Sequence, residues 1–183
     1  MVEVRQAALS LTLLVAIAAS LIAAPGPDGL FGALLAALML GIAITDADRY
    51  IIPNELTGLA IALALLRAGM VGPDAGWEGV LWAVGLAATV ALPLLALMEG
   101  YRRFRGRDGL GLGDIKLAAV LGAWLGWATI FAVLEVATLA AIAAYLVHAF
   151  RHRRPLRGTA FLPFGSFLAP AIWLGWLAEA LLY

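Results

Sequence analysis

The sequence predicts an all-α fold, a polytopic membrane helical bundle of about six to seven spans, on three observations. Of its 183 residues 64% are hydrophobic and only 13% charged, with a mean hydropathy of +0.99, far from the averages of soluble domains. The apolar residues form long runs separated by proline and glycine clusters or by short polar loops. The basic residues gather in alternate loops, as they do in multi-pass proteins. These runs leave no room for a separate soluble domain of ordinary size, so residues 1–183 read as a single transmembrane domain.

The first apolar run extends from about Ala7 to Ala24 and is closed by Pro25, Gly26, Pro27, Asp28 and Gly29, a cluster that cannot continue a helix. Met1 to Gln6 is too short and too weakly basic for a signal peptide, so the run is expected to be retained as a span. A second run, about Leu30 to Thr45, ends near the interface at Asp46 and a short polar loop that continues to Glu55. Leu56 to Val71 make the third, followed by a turn at Gly72 to Gly76. Trp77 to Met98 make the fourth, which leads into the most polar loop, Glu99 to Asp108, and a glycine-rich turn, Gly109 to Lys116. The apolar stretch from Leu117 to Phe150 is too long for one crossing at ~1.5 Å per residue. It is expected to break near Gly126 and Trp127, with Thr129 and Glu135 as alternatives. A basic loop, Arg151 to Gly158, precedes a last span from about Phe161.

Placing the N-terminus in the cytoplasm puts eleven of the twelve Lys and Arg residues on the inside. Only Arg67 disagrees, and it is expected to snorkel from a helix end. The chain then belongs in the cytoplasmic (inner) membrane, in contact with membrane lipid. The formal net charge of zero says little about partners, and no nucleic-acid partner is expected. The lack of cysteine excludes disulfides, thiol nucleophiles and cysteine-ligated zinc.

This topology puts Asp46 and Asp114 on one side of the membrane, each at the end of a span and far apart in sequence. An ionisable group at the edge of an apolar run is costly unless something meets it there. Two carboxylates that share a site repel, retain one proton near neutral pH, and can together activate water and protonate a leaving amine. That chemistry is aspartyl proteolysis, and it needs neither metal nor cofactor. Taken singly, either residue reads equally well as a helix cap or a solvated loop aspartate. Gly111 and Gly113 beside Asp114 permit backbone angles and close approaches that suit an extended peptide.

Asp46, followed by Ile52, Pro53, Asn54, Glu55, Leu56 and Thr57, resembles the first aspartate motif of type IV prepilin peptidases. Gly111 to Leu117, continued by Leu121 to Gly126, is similar to that family's second, GxGD-type motif and the helix after it, and Pro163 to Ala169 is similar to its C-terminal Pro-Phe-Gly segment. The resemblance spans nearly the whole chain. It implies an intramembrane aspartyl endopeptidase that removes the short basic leader of prepilins or pseudopilins at the cytoplasmic face, usually just after a glycine, and that works with type IV pilus or type II secretion machinery. Carried over residue by residue, the catalytic pair is Asp46 and Asp114, with Asp48 as runner-up for the first position. Asp46 has the family's seven-residue offset to Pro53. Substrate contacts are expected at Gly111, Gly113, Pro53, Asn54, Lys116, Pro163 and Gly165. Bifunctional members carry an N-terminal cytoplasmic domain with paired cysteines and also methylate the new N-terminus. This cysteine-free chain resembles the short, peptidase-only form.

Other signals carry less. The glycine spacing lacks the dinucleotide fingerprint and a Walker lysine. His148 and His152 could share a helix face, yet they lack the glutamate pattern of a zinc helix and read as an interfacial helix end. Arg102, Arg103, Arg105 and Arg107 are a topology determinant facing anionic lipid. Glu135 is expected at a turn near the outer surface, Glu179 at an interface, and the six tryptophans mostly near span ends. A small transporter that uses Asp46 and Asp114 as proton or ion sites would show an inverted internal repeat, and none is evident. A noncatalytic pilus or secretion assembly factor of the same fold would predict the loss of an aspartate, yet both are present.

Overall fold

A computed structural model describes residues 2–72, 74–106, 111–152 and 163–182. Arg107 to Leu110, including Gly109 and the last arginine of the basic run, lie outside the described residues, as do Pro73, most of the basic loop after His152, and the expected start of the last span at Phe161. Among the described residues seven helices follow one another: α1 (Val2–Ala23), α2 (Pro27–Arg49), α3 (Asn54–Met70), α4 (Trp77–Arg105), α5 (Leu112–Trp124), α6 (Trp127–Arg151) and α7 (Gly165–Leu182). There is no strand among the described residues. The chain is a helical polytopic membrane bundle.

Five of the helices, α1, α2, α4, α6 and α7, are long and apolar enough to cross a membrane. The other two fall short. α3 has 17 residues and α5 has 13, so α5 rises only ~20 Å at ~1.5 Å per residue. The seven segments are therefore helices of unequal reach, and seven full crossings are not supported by length. Conversely, two expected loops turn out to be helix ends. α2 continues through Asp46 to Arg49, and α4 continues through the arginine cluster to Arg105, because polar and charged side chains at a helix end do not interrupt backbone pairing and cations there suit the helix dipole. The long apolar stretch does break beside Gly126, where Leu125 and Gly126 turn extended. Glu135 is not at that turn: it lies exposed on α6, more than two turns in.

α5 is the buried centre of the bundle. It packs most extensively on α4, with further contacts to α3 and α7, and Leu117, Val120 and Leu121 are wholly buried against Leu35, Met39, Ile42, Leu168 and Ile172. Between apolar helices in lipid, close packing supplies what the hydrophobic effect supplies in water, so small residues mark the tightest contacts. At Gly122 a side chain would meet the backbone of α4, with Leu86 O at 2.6 Å and Ala87 Cα at 2.8 Å. At Gly32 it would run into the ring of Trp176, which is fully buried and so departs from the expected aromatic belt.

Polar contacts at the end of the bundle away from Asp46 explain two residues that the sequence left odd. Arg67 does not snorkel free; it forms a half-buried ion pair with Asp28 on α2, and its guanidinium lies 5.5 Å over the Trp124 ring. Glu179 accepts the Gly126 N–H at 2.9 Å and so caps the start of α6.

Gly122→Ala is expected to destabilise the bundle by about 1–3 kcal/mol, because the facing backbone cannot move aside. Gly85→Ala, on the same α4 but with nothing within 4 Å of the added carbon, should change stability little. Denaturant titration in mixed micelles checks the contrast.

Candidate active site

Asp46 stands in the last turn of α2, where its carbonyl accepts the N–H of Tyr50 at 2.8 Å. A helix C-terminus carries partial negative charge, which makes it a poor place for a buried carboxylate. The compensation comes from another element. The Ser166 N–H donates to Asp46 Oδ2 at 2.8 Å, and the Gly165 backbone lies beside the same carboxylate, with Oδ2 3.0 Å from a carbon added to that glycine. Both residues belong to the first turn of α7, whose dipole points its positive end at the anion. Asp46 is 5% exposed. Asp48, two residues on and about 200° around the helix, is instead an exposed partner of Arg5, whose guanidinium donates to both of its oxygens at 2.7 Å.

Asp114 occupies the third position of α5 and reaches back to the N–H of Gly111 at the helix start. That is the reciprocal half of a capping box, so the residue has a structural duty as well as a chemical capability. It lies in the first turn of the short α5, outside the five spanning helices. Burial and, after it, the negative charge of Asp46 push its carboxyl up to about 6, against the pull of the Gly111 N–H. The two carboxylates thus sit at one end of the bundle, near enough for the Asp46 charge to act on Asp114.

Ile52 stands between the neighbouring glycines, Gly113 and Gly165. Tyr50 ends α2 in the left-handed conformation, with φ at 56°, and Pro53 starts α3 with φ at −65°. The intervening connection is folded back over the helix end. A carbon added to Gly113 would meet Ile52 Cβ at 3.0 Å and Cδ1 at 3.3 Å, and one added to Gly165 would meet Ile52 Cδ1 at 2.7 Å and Asp46 Oδ2 at 3.0 Å. The bare face of Gly113, expected to receive a substrate backbone, is therefore packed by Ile52, and that of Gly111 is turned to the Asp114 carboxylate, with Oδ2 3.1 Å from an added carbon.

The remaining expected residues support this framework. Lys116 Nζ donates to Asn54 Oδ1 at 2.6 Å and ties exposed parts of α5 and α3 together. The Pro53 carbonyl accepts the Thr57 N–H at 3.2 Å. Ser166 Oγ donates to the Pro163 carbonyl at 2.7 Å, which shapes the turn into α7. Two residues were not singled out from the sequence, Ser166 and Ile52. Each lies inside a quoted motif, but neither carries a charge to mark it, and the restriction that Pro53 places on the Ile52 backbone says nothing of where its side chain goes. His148 and His152 have ring centroids 4.5 Å apart at the end of α6. No group of three or more His, Cys, Asp or Glu placed to hold a metal occurs among the described residues.

The fold and site define a class: a helical membrane bundle with two acidic side chains converging at one end. Comparison with known proteins narrows it. Residues 33–147 match the Type IV leader peptidase family, and the chain belongs to that family. It is 36% identical over 168 residues to a prepilin leader peptidase/N-methyltransferase of Burkholderia pseudomallei, covering 84% of this chain and 48% of the relative. To proteins of the same name it is 32% identical over 172 residues in Aeromonas hydrophila, covering 91% and 56%, and 37% over 119 residues in Klebsiella pneumoniae, covering 64% and 50%. The chain spans about half the length of these curated relatives. No solved structure matches it.

Asp46→Asn removes a negative charge beside Asp114 and is expected to lower the Asp114 midpoint from about 6. The midpoint should stay above the ordinary aspartate value of ~3.9, because burial, the larger cause, remains. Carboxyl carbon NMR of labelled aspartate in detergent micelles, followed against pH, checks both directions.

Proposed function

We propose that this chain is an aspartic-type intramembrane endopeptidase that cleaves the leader peptide of type IV prepilins or pseudopilins. The observation that carries the reading is the pairing of Asp46, held by the Ser166 amide of α7, with Asp114, whose carboxyl is raised to about 6 partly by the Asp46 charge. Membership of the leader peptidase family and relatives named prepilin leader peptidase/N-methyltransferase support it. The proposal covers peptide cleavage and does not extend to methyl transfer.

The substrate's apolar helix lies in the bilayer against the spans, so that its scissile bond reaches the dyad at the interface. Asp46, fixed as an acceptor by the Ser166 amide, takes a proton from the attacking water. Asp114 carries the pair's shared proton, polarises the carbonyl oxygen and then protonates the leaving amine. The water's hydroxide ends on the acyl product, the amine keeps the proton given by Asp114, and the proton taken up by Asp46 passes back to Asp114 to restore the pair, so no cofactor is consumed. The positive-inside rule assigns the dyad end to the cytoplasmic side of the inner membrane, where a basic leader would emerge. Lys116 and Asn54 frame the rim of this site, and pilus or secretion machinery would receive the processed product.

In vesicles holding the full chain and a tagged prepilin, Asp46→Asn and Asp114→Asn should each lower cleavage on the order of a hundredfold or more, whereas Asp48→Asn should cleave like the wild type. Full cleavage by either of the first two, at matched protein levels, would overturn the dyad. Because Asp114 must be protonated to act as the acid, kcat/KM should fall as pH rises through about 6, approaching roughly tenfold per pH unit above it. A rate that rises across that window would reverse the assigned roles.

A further inference from the structure

Ile52 is apolar, partly buried and carries no reactive group, yet it is the side chain that reaches both ends of the candidate site. Its Cδ1 would lie 3.3 Å from a carbon added to Gly113 and 2.7 Å from one added to Gly165, and the latter would also touch Asp46 Oδ2 at 3.0 Å. Both glycines therefore owe their lack of a side chain to Ile52, at least in part, and the space beside the carboxylates is bounded by a branched aliphatic group.

The position of that group is over-determined. On one side Tyr50 is held left-handed by its N–H bond to the Asp46 carbonyl, a conformation unfavourable for a non-glycine residue that persists only when its surroundings enforce it. On the other, Pro53 has a fixed φ and keeps Ile52 extended. Pro53 is in turn anchored by the Thr57 contacts at the start of α3. Ile52 also packs against the buried core cluster. These restraints make it a fixed wall.

We propose that Ile52 determines specificity at the cleavage site: it fills the volume beside Asp46 and between Gly113 and Gly165, so that a substrate residue brought to the carboxylates is admitted only when its side chain is absent or very small. This assignment rests on the peptidase reading above. Steric exclusion by a packed aliphatic wall costs the larger substrate its approach to the carboxylates, and removing methyl groups from the wall returns that room. A difference of a methyl or methylene in such a subsite discriminates by about 10–200-fold.

The test uses the full chain in phospholipid vesicles with synthetic peptides made of a short basic leader, one variable residue and an apolar helix of about 20 residues. The variable residue, after which the cut is scored by mass spectrometry, is Gly, Ala or Val. The readout is the ratio of kcat/KM for Ala over Gly and for Val over Gly, in wild type, Ile52→Val and Ile52→Ala. The ratios should be low in wild type, rise modestly in Ile52→Val, and rise at least about tenfold in Ile52→Ala. A merely structural role would lower all three substrates together and leave the ratios fixed; unchanged ratios in both variants, or loss of all cleavage in both, overturn the assignment. Failure of the underlying reading looks different: the wild type then leaves even the Gly peptide intact, or Asp46→Asn cleaves it as well as wild type does.

Discussion

The contact between the Asp46 carboxylate and the first turn of α7 is the constraint on which the site end of the bundle depends. A carboxylate at the negative end of one helix, 5% exposed among apolar neighbours, is unfavourable on each count taken alone. The Ser166 amide at 2.8 Å answers with a backbone donor at the positive end of a second helix. A donor of this kind is fixed by the fold and needs no flexible cation. The contact joins residues 120 positions apart, so α2 and α7 have to pack for Asp46 to be accommodated at all.

Around that contact, close approach is managed by glycine and shape by aliphatic side chains. Gly122 lets α5 settle on the α4 backbone, and Gly32 admits Trp176 between α2 and α7. The short α5 is thereby surrounded, and its first turn carries Asp114 to the same end of the bundle as Asp46. Gly113 and Gly165 make room for Ile52. The glycines near the acidic pair are explained by internal packing before any peptide is considered. What a substrate meets is then the surface those packed groups leave, which is why an unreactive residue bears on the chemistry proposed here.

Asp114 illustrates how one residue serves two demands. Its reach to the Gly111 N–H caps α5 and favours the anion, while burial and the Asp46 charge favour the proton. The latter prevail and leave the carboxyl at about 6, close to neutrality, where a group can both hold and release a proton. A cap position at the start of a buried helix is a natural origin for such a balance, since it supplies one strong donor and little water.

The amino-acid sequence by itself determined the all-helical membrane class, the break beside Gly126 and the placing of Asp46 and Asp114 at helix ends, although the helix of Asp114 is too short to be the span expected of it; hydropathy, glycine and proline act locally and leave their mark at the residue concerned. Helix lengths were less legible: Glu99 to Arg105 and Ala47 to Arg49 look like loops by polarity, yet backbone pairing continues through them. Arg67 was visible as an anomaly, but its partner Asp28, 39 residues away, was not. Only the tertiary structure decided that α7 supplies the donor to Asp46, that Lys116 meets Asn54, and that Ile52 fills the space between Gly113 and Gly165. Those are contacts between surfaces brought together by packing, and an uncharged serine or isoleucine carries no local signature of the neighbour it will meet.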